Sequence, residues 1–324
     1  LVTGATGLVG SSLIRKLLEL KAHVVALVRD HTPHSGLFRE GLYTQVDLVQ
    51  GSLEEYASVE RGINEYEIEV LFHLGAQTIV TTAWRNPLAT FEANIRGTYH
   101  VLEACRHHCN KIQQIVIASS DKAYGSSLYL PYEEELSPLK GAHPYDVSKS
   151  CADLLSLSYF QTYHLPLAIA RCGNIYGGGD LNWSRLIPGT IRSFLREEPP
   201  ILRSNGSFKR DYLFVEDAVD AYLLLAESLN RPEVQGEAFN FGQNQPFSAW
   251  EIIRHLQEQM NCHHLIPEVK DRATHEIKDQ WLKIDKAKKI LGWNFKYSLQ
   301  EGLSRTIKWY EQYLCPKEVV SSHI

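Results

Sequence analysis

The 324-residue sequence predicts an α/β protein with a doubly wound parallel sheet and a smaller, discontinuous α/β lobe. Three observations carry this expectation. Short β-branched runs alternate with longer amphipathic stretches from residue 1 to residue 171. Several of those runs, such as VVALV at 24–28, are apolar without a break, as strands covered on both faces are. A glycine-rich turn falls directly between the first run and the first amphipathic stretch.

Strands are expected at 1–3, 23–28, 45–49, 70–73, 114–118 and 167–171, and helices at 8–20, 87–109 and 145–163. After 171 the alternation breaks. Turns are marked by Gly177, Gly178, Gly179 and Pro188, and a polar stretch spans 203–211. Residues 238–241 are expected to return as an edge strand of the first sheet, and the remainder to about 313 reads as helices. The expected dinucleotide-binding domain is 1–173 plus about 211–241. The expected substrate lobe is about 174–210 plus 242–315, with a tail at 316–324 and a cleft at the carboxyl ends of the strands.

Composition narrows the function. The chain is 44% hydrophobic and 22% charged with a net charge of -5, which speaks against a nucleic-acid or anionic-membrane surface. No apolar run reaches the roughly 18 to 20 residues of a membrane span. The six cysteines form no CxxC pair and no metal-ligand spacing, so reduced thiols, no metal and a cytoplasmic setting are expected. Leu1 opens in mid-strand without Met, so native residues are expected to precede it.

The turn Thr3-Gly4-Ala5-Thr6-Gly7-Leu8-Val9-Gly10 has the spacing GxxGxxG. Glycines allow a tight turn and close approach to a pyrophosphate, and the helix that follows offers N–H donors and a positive dipole end. At the end of the second strand, Arg29 could pair with a 2′-phosphate, or Asp30 could accept from a 2′-hydroxyl. The cofactor is therefore NAD or NADP, with a slight inclination to NADP. Tyr145 and Lys149 form YxxxK at a helix start, on one helical face, where the lysine is expected to lower the phenol pKa. Ser119 and Ser120 end the fifth strand.

With these residues in place, the sequence resembles the extended short-chain dehydrogenase/reductase family, in its sugar-nucleotide epimerase and dehydratase branch. The matching stretches are TGATGLVG, LFHLGAQ, NIRGT, SSDKAYG, YDVSK, RCGNIYG and RDYLFVEDAVDAY, in order along nearly the whole chain. The resemblance implies a Rossmann fold with Tyr145 as base, Lys149 bridging to the nicotinamide ribose, and Ser120 holding the sugar O4. It also implies that Ser52 and Leu53 lie near the adenine and that Leu74, Gly75 and Ala76 line the cofactor cleft. Two positions depart from the family: Gly75 replaces a usual alanine, and Ser52 an aspartate.

After Ser120, the pair Asp121-Lys122 resembles the CDP-glucose 4,6-dehydratase version of the motif, as do GGGDLNWSRLIP at 177–188 and LKIDKAKKILGW at 282–293. The implied chemistry has a neutral Lys122 removing the C5 proton and a protonated Asp121 donating to the departing C6 hydroxyl. Desolvation and nearby Lys149 are expected to depress the Lys122 pKa. The lesser alternative is that Asp121 and Lys122 merely form an ion pair beside the cleft. For the substrate, the resemblance implies phosphate binding by Arg210 and Arg272, sugar contact by Asn174, and packing of the nucleotide base on Leu186 and Ile187. Arg203 and Lys209 read as surface charge. A homodimer is implied through helices 87–109 and 145–163, with Leu102, Leu154, Leu155 and Leu157 available. The competing reading is a 4-epimerase that uses only Ser120, Tyr145 and Lys149; a remoter one is a non-catalytic cofactor sensor.

Overall fold

The computed structural model describes residues 1–271 and 276–315. Its strands are β1 (Val2–Thr3), β2 (Val25–Val28), β3 (Asp47–Gln50), β4 (Val70–His73), β5 (Gln114–Ser120), β6 (Leu167–Cys172), β7 (Asn174–Tyr176), β8 (Ile201–Leu202), β9 (Lys209–Phe214), β10 (Ala238–Phe241), β11 (Pro246–Ser248) and β12 (Glu268–Val269). Its helices are α1 (Leu8–Glu19), α2 (Gly36–Arg39), α3 (Tyr56–Glu65), α4 (Val80–Arg85), α5 (Pro87–Phe91), α6 (Gly97–His107), α7 (Pro144–Tyr163), α8 (Leu186–Leu195), α9 (Val215–Glu227), α10 (Ala249–Met260) and α11 (Leu299–Leu314).

Seven strands form a parallel sheet in the order β10-β6-β5-β4-β1-β2-β3. The chain winds outward from β1 through β2 to β3, then crosses back to β4 on the other side of β1. The order therefore reverses between β1 and β4, which opens a crevice at their carboxyl ends. Side chains alternate along each strand, so β5 feeds two cores. Val116 packs with Leu13, Ile14 and Leu225 of α1 and α9, while Ile115 and Ile117 pack with Ile63 and Leu102 of α3 and α6. All of these are fully buried, each contributing roughly 1.5–3 kcal/mol of apolar transfer. Burial on both faces is why the strands read as unbroken apolar runs.

The second lobe holds a three-stranded sheet, β11-β9-β7, and the parallel pair β12-β8. Its core gathers Ile187, Phe194, Ile252, Leu256, Leu303 and Tyr310. α10 and α11 both start on a capping box, Ser248 with Glu251 and Ser298 with Glu301.

Several expectations change. Residues 211–214 belong to the second lobe, because β9 pairs with β7 and β11; the return to the first unit begins with α9 and is completed by β10 against β6. The stretch after 171 holds five short strands outside the main sheet, at positions where the expected α/β lobe had been given no strand, since strands of two to six residues with mixed polarity show no clear period. The helix expected at 87–109 ends at His107 and passes through a π-turn at Glu92–Arg96. Leu102 is a core residue and Leu155 and Leu157 are half-buried against that core, which leaves only Leu154 exposed for a partner. Arg272 and the tail 316–324 lie outside the described residues. Among the described residues, no helix is long and apolar enough to cross a membrane.

Candidate active site

A cleft of about 1440 Å³ opens at the carboxyl ends of the strands, between the glycine turn and the second lobe. Gly4, Thr6, Gly7, Leu8, Val9 and Gly10 line one side of it. Gly4 has φ +70, and a Cβ there would fall 2.7 Å from the Gly75 nitrogen. A Cβ on Gly10 would overlap the Gly4 carbonyl oxygen, which already accepts from the Gly7 N–H at 3.0 Å. α1 starts with no side-chain cap and no acidic residue in its first turn, so its first N–H groups are open to an anion. This cradle fits the pyrophosphate of a dinucleotide.

The adenosine end differs from expectation. Leu74 and Ala76 line the cleft, whereas Gly75 sits behind it. A Cβ on Gly75 would lie 2.7 Å from Leu53 Cδ1, so glycine replaces the usual alanine because Leu53 packs into that space. Ser52 is occupied by a hydrogen bond to Glu54, and neither Ser52, Leu53 nor Arg29 lines the cleft. Arg29 donates to Asp30 at 2.7 Å, which joins the two candidates for the ribose 2′ position and gives no support to the inclination toward NADP. The residues of that loop that do face the cleft are Thr32, His34 and Ser35, which sequence reading passed over.

Ser120, Lys122, Tyr145 and Lys149 all reach the same part of the cleft. β5 runs two residues further than expected, to Ser120, whose register opposite Cys172 holds the serine on the sheet. Tyr145 stands in the first turn of α7, after Pro144, and hydrogen-bonds Ser120. Its phenol is not lowered as the YxxxK spacing suggested. Burial pushes it up to about 12, and the cation that most opposes the rise is Arg185. Lys149 instead donates to the Ala118 carbonyl at 2.8 Å, and burial lowers its amine to about 8, against the pull of Asp153 one turn on. Asp153 is fully buried between Ser119 and Arg171, whose Nη1 donates to Tyr124 at 2.8 Å. A further clamp comes from Asn94 in the π-turn: it donates to Ser148 between Tyr145 and Lys149 at 2.9 Å and to the Gln77 carbonyl at 3.0 Å.

Lys122, two residues after Ser120, is also perturbed. Burial lowers the Lys122 amine to about 8; Asp121 opposes this and Arg210 assists it. Arg210 thus takes the part expected of Lys149. Lys122 Nζ donates to Gln280 Oε1 from the second lobe. Asp121 lies behind the cleft at 1% exposure: Oδ1 accepts from Ser120 Oγ at 3.0 Å, and Oδ2 has no partner among the described residues. A second carboxyl, Asp146, does line the cleft; burial raises its pKa, against the pull of Lys122.

Asn174, Leu186, Ile187 and Arg210 also line the cleft. The Arg210 guanidinium donates to the carbonyls of Ile277 and Lys278, each at 2.6 Å, which fixes its plane beside Lys122. An annex of about 370 Å³ continues past Asn174, Arg185 and Arg210 and brings in Arg192 and Arg203. Arg203 is exposed, in keeping with surface charge, and borders this annex. Arg192 stacks over Trp183 at 4.8 Å, and Arg185 ties Asp180 at 2.8 Å to Thr78 at 3.3 Å. The signal that could have found Arg185 was its place inside the 177–188 stretch already singled out.

Residues 1–306 match the family model described as GDP-mannose 4,6 dehydratase. CDP-glucose 4,6-dehydratase of Salmonella typhimurium is 29% identical, over 100% of this chain and 95% of its own. The crystal structure of UDP-glucose 4-epimerase from Thermotoga maritima with UDP-glucose superposes with a TM-score of 0.88 at 26% identity, covering 97% of this chain and 98% of that one. That of dTDP-glucose 4,6-dehydratase from Bacillus anthracis in complex with NAD gives 0.84 at 25% identity, with 96% of each chain covered. The chain belongs to the GDP-mannose 4,6 dehydratase family, among the sugar-nucleotide dehydratases and epimerases of the extended short-chain dehydrogenase/reductases.

Proposed function

We propose that this chain is a nucleoside-diphosphate-hexose 4,6-dehydratase, with CDP-glucose as the first substrate to test. The observation that carries the proposal is Lys122: a lysine lining the same cleft as Tyr145, its amine lowered to about 8 by burial, supplies a base that a 4-epimerase does not need. The relative from Salmonella typhimurium supports the choice of sugar nucleotide.

A nicotinamide dinucleotide would be held by the turn from Gly4 to Gly10, with its ribose toward Lys149. When bound in oxidised form, it would supply a hydride acceptor for C4 and later a hydride donor for C6, with no net consumption, while Lys122 would return a proton to C5. Tyr145 takes the O4 proton, and Ser120 holds that oxygen. Lys122 removes the proton from C5, which the new 4-ketone has acidified. The proton that leaves with the C6 hydroxyl as water is assigned to Asp121, whose Oδ2 is the uncommitted carboxyl oxygen. Arg210 and the arginines of the annex offer cations to the substrate pyrophosphate, as planar forks suited to phosphate. A homodimer through α5, α6 and α7 belongs to the same reading, with Leu88 and Leu154 exposed along those helices.

The 4-epimerase reading keeps one observation in its favour: Asp121 does not line the cleft. A panel of sugar nucleotides followed by NMR separates the two. A 4-keto-6-deoxy product from CDP-glucose or a related nucleotide is expected. A product with C4 inverted and the C6 oxygen retained refutes the dehydratase.

A further inference from the structure

We infer that Gln280 is a positioning residue for Lys122: an uncharged amide, carried by the second lobe, that orients the base while drawing it toward its charged form far less than a carboxylate would. This rests on Lys122 being the C5 base of the reaction proposed above.

Gln280 is 0% exposed, an unusual site for a glutamine. Its backbone is fixed first, by an N–H donated to the Lys209 carbonyl at 3.0 Å and a bridge to Arg210. Both ends of its side chain then meet the turn that carries Lys122. Oε1 accepts from Lys122 Nζ, and Nε2 approaches the Asp121 carbonyl at 3.5 Å. The Tyr132 hydroxyl, which donates to the Gly125 carbonyl, lies near the same amide. In sequence, 158 residues separate Gln280 from Lys122, and the contact joins the second lobe to the turn after β5.

The chemistry explains why an amide suits this place. Four ionisable groups act on Lys122: Asp121 on its own turn, Asp146 on α7, Glu276 just before Gln280, and Arg210 on β9. Each carboxyl favours ammonium when it is ionised, while burial and Arg210 favour the free amine. A fourth carboxylate in hydrogen-bond contact would move that balance toward ammonium. Glutamine is nearly the same shape, takes one N–H as acceptor, and adds no charge. With one N–H so held, the amine is limited in how it can turn, and its remaining valences are left for the cleft.

The test reads Lys122 directly in the intact enzyme without turnover. Limiting acetic anhydride is applied from about pH 6 to about pH 10, and acetylation of Lys122 is followed by peptide mass spectrometry. Gln280→Glu should move the labelling midpoint up by roughly one unit, so that labelling near neutral pH falls about tenfold. An unchanged midpoint overturns the inference. Should Gln280→Glu fail to fold, Gln280→Met removes the acceptor without adding charge. It should cut deuterium exchange at C5 at least about tenfold, leave KM near its wild-type value, and be partly rescued by Gln280→Asn. Wild-type exchange in Gln280→Met likewise overturns the inference. A midpoint shift in an enzyme that makes no 4-keto-6-deoxy product refutes the proposed reaction but keeps the coupling of Gln280 to Lys122. Product formation with an unmoved midpoint does the reverse.

Discussion

Lys122 should make C5 proton removal depend steeply on pH, and the size of the effect follows from its surroundings. An ordinary lysine at 10.5 has about one molecule in three thousand neutral at pH 7; with the amine lowered to about 8, roughly one in ten is neutral. Burial therefore makes the base about three-hundredfold more available at that pH. The base works deprotonated, so exchange should rise about tenfold per pH unit below the midpoint and level off above it. Tyr145, pushed up to about 12, does not titrate in this window, but Lys149 shares the shift to about 8. The assay must separate the steps: absorbance of reduced cofactor follows C4 oxidation, and solvent deuterium at C5 follows Lys122. In Lys122→Ala, C4 oxidation should persist, C5 should take up no deuterium, and elimination should fall at least about a hundredfold. A wild-type elimination rate in that variant, or C5 exchange that is flat from about pH 6.5 to about pH 9, refutes the assignment of Lys122 as base.

Tyr145→Phe should lower turnover at least about a hundredfold with cofactor binding intact; near-normal turnover in a steady-state assay removes the phenol from the chemistry. Gly10→Ala forces a Cβ onto the Gly4 carbonyl oxygen, so calorimetry should show a loss of roughly 1–3 kcal/mol and titration a weakened cofactor affinity. Unaltered values for both would mean that the turn can shift at little cost. Asp121→Asn should stop loss of the C6 hydroxyl while C5 exchange continues; if Asp146→Asn shows this pattern instead, the acid is the carboxyl that lines the cleft.

The sequence by itself determined those parts of the protein that depend on neighbours along the chain. The turn from Gly4 to Gly10 must fall between a strand and a helix, because only there do GxxGxxG spacing and the change of period meet. Ser120 ends a strand, Asp121 and Lys122 follow it covalently, and Tyr145 and Lys149 share a helical face; local geometry alone brings each of these groups together. The apolar runs likewise announced a sheet covered on both faces. Tertiary structure decided what no local period encodes. It set the order β10-β6-β5-β4-β1-β2-β3, assigned β9 to the smaller sheet, and placed Gln280 on Lys122 and Arg185 near Tyr145. It also reversed the expected shift of the Tyr145 phenol, since burial outweighs a lysine whose ammonium is turned to the Ala118 carbonyl. Hydrophobic period records which face of an element is buried, whereas the charge state of a cleft residue depends on desolvation and on charges from remote segments, which only the packed lobes bring into range.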